Sequence, residues 1–373
     1  MATVSVSLKS STNLAFTGKP TQVSLIVRVS PTSFASLSGI HYVVMIDNSP
    51  SMKKENKINL ALSSASRLVQ DIIPGNFISI YLFSNDIETL YEGESGKQIE
   101  LKSIKMGYTT NLHKAITKVL EKFKSSEIPV KIILLSDGKP TDKRYSRDYE
   151  SLQVPKNVQL ITIGLGEDYN EAIMKILADK GSGVFYHIND PSQLPTTLVE
   201  QKSDKVAAYN LTLNFSEGLE VINYEMPVNI PVVDKDVNVY AVGNIPPGET
   251  DYTLKVTGNY VDSVSNKNIE IDESLVIKRA PDDEVRSNFD RTVINEVSYY
   301  MLLRYYGNLI SEGKSEEATR VVQELLTAAE RTKRVELIER TKKLVNDPKV
   351  DLSEVTKTMR TGSIEGRHHH HHH

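Results

Sequence analysis

The sequence predicts an α/β protein: a doubly wound, largely parallel sheet inserted in an antiparallel β-sandwich, followed by a C-terminal helical bundle. Three observations lead there. Between residues 41 and 200, continuous apolar runs alternate with amphipathic helix-like stretches, which marks a parallel sheet covered on both faces. Before and after this block, apolar residues recur at every second position, as in half-buried antiparallel strands. Beyond residue 285 the spacing turns helical.

Residues 1–36 supply the first strands. Val4, Val6 and Leu8 interleave with Ser5 and Ser7, and after a turn at Gly18-Lys19-Pro20 come Val23, Leu25, Val27 and Val29. Residues 37–202 hold the α/β domain. Its strands are "YVVMI" (42–46), "FISIYLF" (77–83), "VKIILLS" (130–136) and "VQLITIGL" (158–165); helices are predicted over 57–73, 111–125 and 169–180. In residues 203–280 period two returns at Tyr209, Leu211, Leu213 and Phe215, then at Tyr252, Leu254 and Val256. This second set cannot close a sandwich alone, so the N-terminal strands are expected to complete it. Residues 285–346 form the bundle, with Val293, Val297 and Met301 on one stripe and Ala318, Val321, Val322 and Leu325 on another. Pro348 reads as the end of the last helix, which leaves 347–361 as a flexible Ser/Thr tail. Residues 362–373, Gly362-Ser363 and "IEGRHHHHHH", read as a protease site and affinity tag.

Composition narrows the function. A net charge of −4 offers no basic field for nucleic acid or an anionic membrane. No apolar run approaches a membrane helix and no signal peptide's apolar core is visible, so a cytoplasmic protein is expected. Cysteine is absent, which excludes disulfides and thiolate metal sites. Outside the tag only His41, His113 and His187 remain, too scattered for a histidine-rich metal site.

In doubly wound sheets ligands bind outside the carboxyl ends of the strands. Three segments there carry oxygen donors: Asp47-Asn48-Ser49-Pro50-Ser51, Thr110 before the helix starting near Asn111, and Asp137-Gly138 after a buried strand. Each has a local explanation, since Asp and Ser shape turns and Thr caps helices. Together they offer an all-oxygen site suited to a hard cation, Mg²⁺ or Mn²⁺. "GLGEDYN" (164–170) lacks phosphate-loop spacing and reads as a tight turn. The Tyr299-Tyr300 and Tyr305-Tyr306 pairs read as bundle packing.

On these three segments the α/β block resembles a von Willebrand factor type A (vWA) domain, a Rossmann-like doubly wound fold, with its metal-ion-dependent adhesion site (MIDAS). The resemblance implies metal ligation by Asp47, Ser49, Ser51, Thr110 and Asp137: the serines and often the threonine directly, the aspartates largely through water. It implies that a partner's carboxylate completes the shell. Pro50 stands where the family often has glycine, and Tyr108-Thr109 where it often has Gly-Gly. The order strands, α/β domain, strands, helices resembles the core of the Sec23/Sec24 vesicle-coat proteins. The whole chain is also similar to the archaeal archaellum regulatory network B family. That implies a cytoplasmic partner with a forkhead-associated domain, phosphorylation by Ser/Thr protein kinases, and repression of motility genes, with Ser353, Thr356 and Thr358 as tail acceptors. A non-enzymatic interaction scaffold is therefore expected. The rival is a Mg²⁺-dependent phosphatase or hydrolase with Asp47 as nucleophile. Such enzymes usually have a second aspartate where this chain has Ser49, and they need a positioned lysine.

Overall fold

A computed structural model describes residues 2–35 and 39–361. The chain opens with β1 (Val4–Ser10), the short β2 (Leu14–Ala15) and β3 (Thr21–Pro31). The alternating block follows: β4 (His41–Asp47), α1 (Lys57–Asp71), β5 (Phe77–Phe83), β6 (Ile87–Glu94), α2 (Leu112–Phe123) and β7 (Val130–Ser136). It continues with α3 (Arg147–Glu150), β8 (Val158–Leu165), α4 (Glu171–Lys180), β9 (Phe185–Ile188) and α5 (Leu194–Val199).

These six strands make one sheet in the order β6-β5-β4-β7-β8-β9, parallel except for the edge strand β6. β4 lies inside it, and Val43, Val44, Met45 and Ile46 are wholly buried because helices cover both faces. β6 escapes the sequence pattern: "IETLYEGE" faces solvent over most of its length and shows no apolar run. The compact unit built on this sheet takes residues 34–210 and 230–234, somewhat beyond 37–202. Buried polar bonds explain the extension. Lys131 Nζ donates to Gln201 O at 3.1 Å and Ser203 Oγ at 2.7 Å, and Ser203 Oγ donates to Asp234 at 2.6 Å.

The remaining described residues form the other unit. The later strands of the chain are β10 (Ala208–Phe215), β11 (Leu219–Val221), β12 (Val228–Val233), β13 (Val237–Ile245), β14 (Tyr252–Asp262) and β15 (Asn268–Arg279). They combine with the N-terminal strands as expected. One sheet runs β1-β3-β13-β11, the other β12-β10-β14-β15-β2. β3 is antiparallel to both neighbours, with Val27 opposite Leu8 on one side and Val239 on the other. Val23, Leu25, Val27 and Val29 are buried, and so are Leu211, Leu213, Leu254 and Val256.

Among the described residues five helices follow: α6 (Asp282–Asn288), α7 (Arg291–Ser311), α8 (Ser315–Thr332), α9 (Val335–Lys342) and α10 (Pro348–Met359). Tyr299, Tyr300 and Tyr306 are buried in α7, and Tyr300 stacks on Tyr240 with ring centroids 4.0 Å apart, while Tyr305 stays exposed.

Residues 347–361 are not the flexible tail that the sequence suggests. Residues 348–359 are helical, because Pro348 starts the helix instead of ending one. Asp347 caps it, accepting from Lys349 N at 3.0 Å and Val350 N at 3.3 Å, and proline at the first position loses no helical bond. Leu352, Val355 and Met359 then share one buried face. Ser353, Thr356 and Thr358 are 2%, 0% and 2% exposed, so none is presented to a kinase in this state. Asp351 holds the start of the helix down, accepting from Tyr306 OH at 2.5 Å and from the backbone N–H groups of Val345 and Asn346.

Candidate metal centre

β4 ends on Asp47, a fully buried carboxylate at the carboxyl edge of the sheet. The chain turns there at once. Asn48 N donates to Phe83 O at 2.8 Å, and Ser49 N donates back to Asp47 Oδ1 at 2.9 Å. A 3₁₀ segment over Pro50–Asn56 follows, with a non-helical kink at Lys54 and Glu55 and with Pro50 at its first position. That position needs no N–H donor, which is why proline is accommodated between the two serines.

Four of the five expected residues are joined by hydrogen bonds. Ser49 Oγ and Ser51 Oγ lie 3.0 Å apart, and Ser51 Oγ donates to Asp137 Oδ1 at 2.7 Å. Asp137 arrives from the end of β7, the parallel neighbour of β4. Ser136 Oγ donates to the other oxygen of Asp47 at 2.9 Å. Thr110 stands slightly apart. Its backbone N–H donates to Thr141 Oγ1 at 3.0 Å and its carbonyl accepts from Thr141 N at 2.9 Å. Its loop is tied to the site because Gly107 N donates to Asn48 O at 3.2 Å and Asn48 Nδ2 to Lys105 O at 3.2 Å. Among the described residues the Thr110 hydroxyl has no hydrogen-bond partner, so it is available as a ligand.

One residue of the site escaped sequence reasoning. Lys57, at the start of α1, places Nζ 3.1 Å from Asp137 Oδ2. It lies six residues beyond Ser51 in a helical stretch, where lysines ordinarily face solvent, and no local motif singles it out. Burial, and next the charge of Asp137, push the Asp47 carboxyl above the usual carboxylate range. A bound dication would reverse that shift.

The donor chemistry fits a hard divalent cation. Two carboxylates and three hydroxyls offer only oxygen, and Asn48 buries an amide oxygen with no hydrogen-bond partner among the described residues. Among the described residues no group of three or more His, Cys, Asp or Glu side chains could hold a metal, so binding here would depend on the hydroxyls. The histidines lie elsewhere. His113 packs edge-on against Tyr149 at 5.1 Å, and His187 Nδ1 bonds Tyr169 OH at 2.5 Å. In "GLGEDYN", Gly166 takes a φ of +76°, the left-handed region a tight turn needs. Among the described residues no helix is long and apolar enough to cross a membrane.

Residues 43–201 match the sequence model of the von Willebrand factor type A domain, and residues 291–361 that of the Archaellum regulatory network B, C-terminal domain. Among solved structures, the chain is similar to a von Willebrand factor type A protein from Catenulispora acidiphila, with a TM-score of 0.68 at 14% identity, covering 96% of this chain and 97% of that one. It is also similar to the human COPII-coat protein Sec24c, with a TM-score of 0.53 at 10% identity, covering 88% of this chain and 58% of that one. At such identities these likenesses establish the fold alone. No curated protein sequence matches the chain.

Proposed function

We propose that this chain, which carries a von Willebrand factor type A domain and an archaellum regulatory network B C-terminal domain, is a non-enzymatic cytoplasmic scaffold that docks a partner protein at a Mg²⁺-dependent site. The observation that carries this reading is the hydrogen-bonded cluster of Asp47, Ser49, Ser51 and Asp137 where the central strand ends. Asp47, Ser49, Ser51, Thr110 and Asp137 would hold Mg²⁺ or Mn²⁺, and the bound ion would offer a coordination position to an anionic group. The rim supports an acidic partner surface. Lys53 and Lys54 follow Ser51, and Lys139, Lys143 and Arg144 follow Asp137; all five are exposed, and among the described residues none has an ion-pair partner. Tyr108, 80% exposed, stands at the edge of the approach.

The C-terminal match supports a place in archaellum regulation: a phosphorylation-regulated repressor of motility genes acting with a forkhead-associated-domain protein. Ser353, Thr356 and Thr358 remain the acceptors for Ser/Thr protein kinases in this reading. Thr356 Oγ1 is bonded to Ser353 O at 2.9 Å and Thr358 Oγ1 to Glu354 O at 2.8 Å inside the docked helix. Phosphorylation therefore requires α10 to open first.

The phosphatase reading gains a positioned lysine in Lys57 but still lacks a second carboxylate at Ser49. Surface plasmon resonance with the forkhead-associated-domain protein separates the two readings. Wild type should bind in Mg²⁺, and binding should be lost in EDTA and in Asp47→Ala. Binding indifferent to both would overturn metal-dependent docking. Mg²⁺-dependent hydrolysis of a phosphate monoester that disappears in Asp47→Ala would favour the enzyme.

A further inference from the structure

Asp137 already has a cation of the chain's own. The Lys57 ammonium lies 3.1 Å from Asp137 Oδ2, and the two side chains are 12% and 1% exposed. Three features show that the placement is imposed by the fold. Lys57 opens α1, the end of a helix where a positive charge is disfavoured. The two residues before it, Glu55 and Asn56, take φ values of +56° and +57°, strained for side chains other than glycine. This sharp double turn carries the chain from the 3₁₀ turn bearing Ser51 into the helix that delivers Lys57 to Asp137. Both Asp137 oxygens are then engaged, one by Ser51 Oγ and one by Lys57 Nζ.

We propose that Lys57 tunes the metal centre, trading affinity for the cation against affinity for the anion that completes its shell. This inference rests on the Mg²⁺ reading given above. The carboxyl groups of Asp47 and Asp137 bring two formal negative charges; Lys57 returns one. The empty centre therefore attracts a dication with a net charge of −1 instead of −2. The loaded centre carries +1, where without Lys57 it would be neutral. A positive loaded centre draws a carboxylate in; a neutral one has little electrostatic reason to. Lys57 also neutralises Asp137 when no ion is bound, so that the site stays assembled without metal.

The test is a pair of calorimetric titrations on the full chain: Mg²⁺ into metal-free protein, then acetate into Mg²⁺-loaded protein. Lys57→Met, which keeps the length and loses the charge, should bind Mg²⁺ at least about tenfold more tightly than wild type and acetate more weakly, as expected for one unit charge near a half-buried dication. Lys57→Arg, which keeps the charge, should stay within about threefold of wild type. Metal-free Lys57→Met should also melt at lower temperature than wild type, and Mg²⁺ should restore it. If Lys57→Met does not fold, Lys57→Gln takes its place in the same titrations. Wild type binding Mg²⁺ while a folded neutral variant binds it equally or more weakly would overturn the inference and leave the metal reading standing. Failure of wild type and both neutral variants to bind Mg²⁺ would overturn the metal reading, and the inference with it.

Discussion

Thr356→Glu should release α10 from the bundle while leaving the rest of the molecule folded. Thr356 is wholly buried, and its hydroxyl is satisfied within the helix by Ser353 O. A carboxylate there would be a buried charge, and the cation one turn on, Arg360, is already held by Asn223 O and the Tyr224 ring, so the cost should be about 3–5 kcal/mol. The helix has few other ways to absorb it. Its anchors are Leu352, Val355 and Met359 on the apolar face, Asp351 bonded to Tyr306 OH, and Arg360, which bonds Asn223 O and covers the Tyr224 ring at 4.5 Å. Opening removes the charge from the interior without unfolding α7, so opening is the cheapest response. At about 1.4 kcal/mol per tenfold, 3–5 kcal/mol corresponds to a loss of roughly two to three and a half orders of magnitude in amide protection. Hydrogen exchange read by mass spectrometry should show that loss over 348–359, with protection in α7 and β13 unchanged. Thr356→Val, which keeps the volume and loses only hydroxyl bonding, should cost about 1 kcal/mol and leave α10 docked. Wild-type protection across 348–359 in Thr356→Glu would show that a buried charge does not release α10, and would overturn the proposal that phosphorylation of this helix acts by opening it.

Burial holds the His41 imidazole down at about 4 in the folded protein, against 6.5 for the free side chain. The unfolded chain therefore takes up the proton first, and the stability His41 contributes is full above pH 6.5 and lost as pH falls toward 4. The loss should amount to about 2 kcal/mol after allowance for its partial exposure. Asp47, whose carboxyl is raised, acts in the opposite sense at acid pH, so the comparison of urea melts for wild type and His41→Asn isolates the histidine; equal pH slopes would contradict it. Gly164→Ala should destabilise the α/β unit by about 1–3 kcal/mol, because its new methyl would sit 2.1 Å from the buried Tyr169 ring; an unchanged melting temperature would show that the ring yields freely. Deleting residues 1–30 removes β1, β2 and nearly all of β3 and uncovers the β13 edge, so aggregation should follow on size-exclusion chromatography, and a soluble monomer of unchanged stability would count against the shared sandwich.

Much of this was legible because the α/β sheet is buried on both faces. β4, β5, β7 and β8 appear as apolar runs for that reason, and those runs alone place the donors after β4 and β7 at one edge. Features that depend on context were harder. β6 presents mostly solvent-facing residues and pairs only along an edge, which leaves no periodic signal. The α10 signal was present in Asp347-Pro348 and in the spacing of Leu352, Val355 and Met359, but proline both ends and begins helices, and the hydroxyls made the stretch look unable to bury itself. That the buried face includes Thr356 and Thr358 follows from packing that no local pattern records. Lys57 reaches Asp137, 80 positions away, through a turn of two left-handed residues at Glu55 and Asn56, a conformation their identities do not announce.

The proposed metal centre rests on hydroxyls and carboxylates gathered at the end of β4. Crystals of the chain grown with Mn²⁺ and measured at the manganese absorption edge test it most directly. One anomalous peak is expected, bonded to Ser49 Oγ and Ser51 Oγ at about 2.0–2.3 Å, with Thr110 Oγ1 in or next to the shell and both aspartates within reach through water. A peak held elsewhere, or no peak at a manganese concentration that saturates the protein in solution, would contradict it.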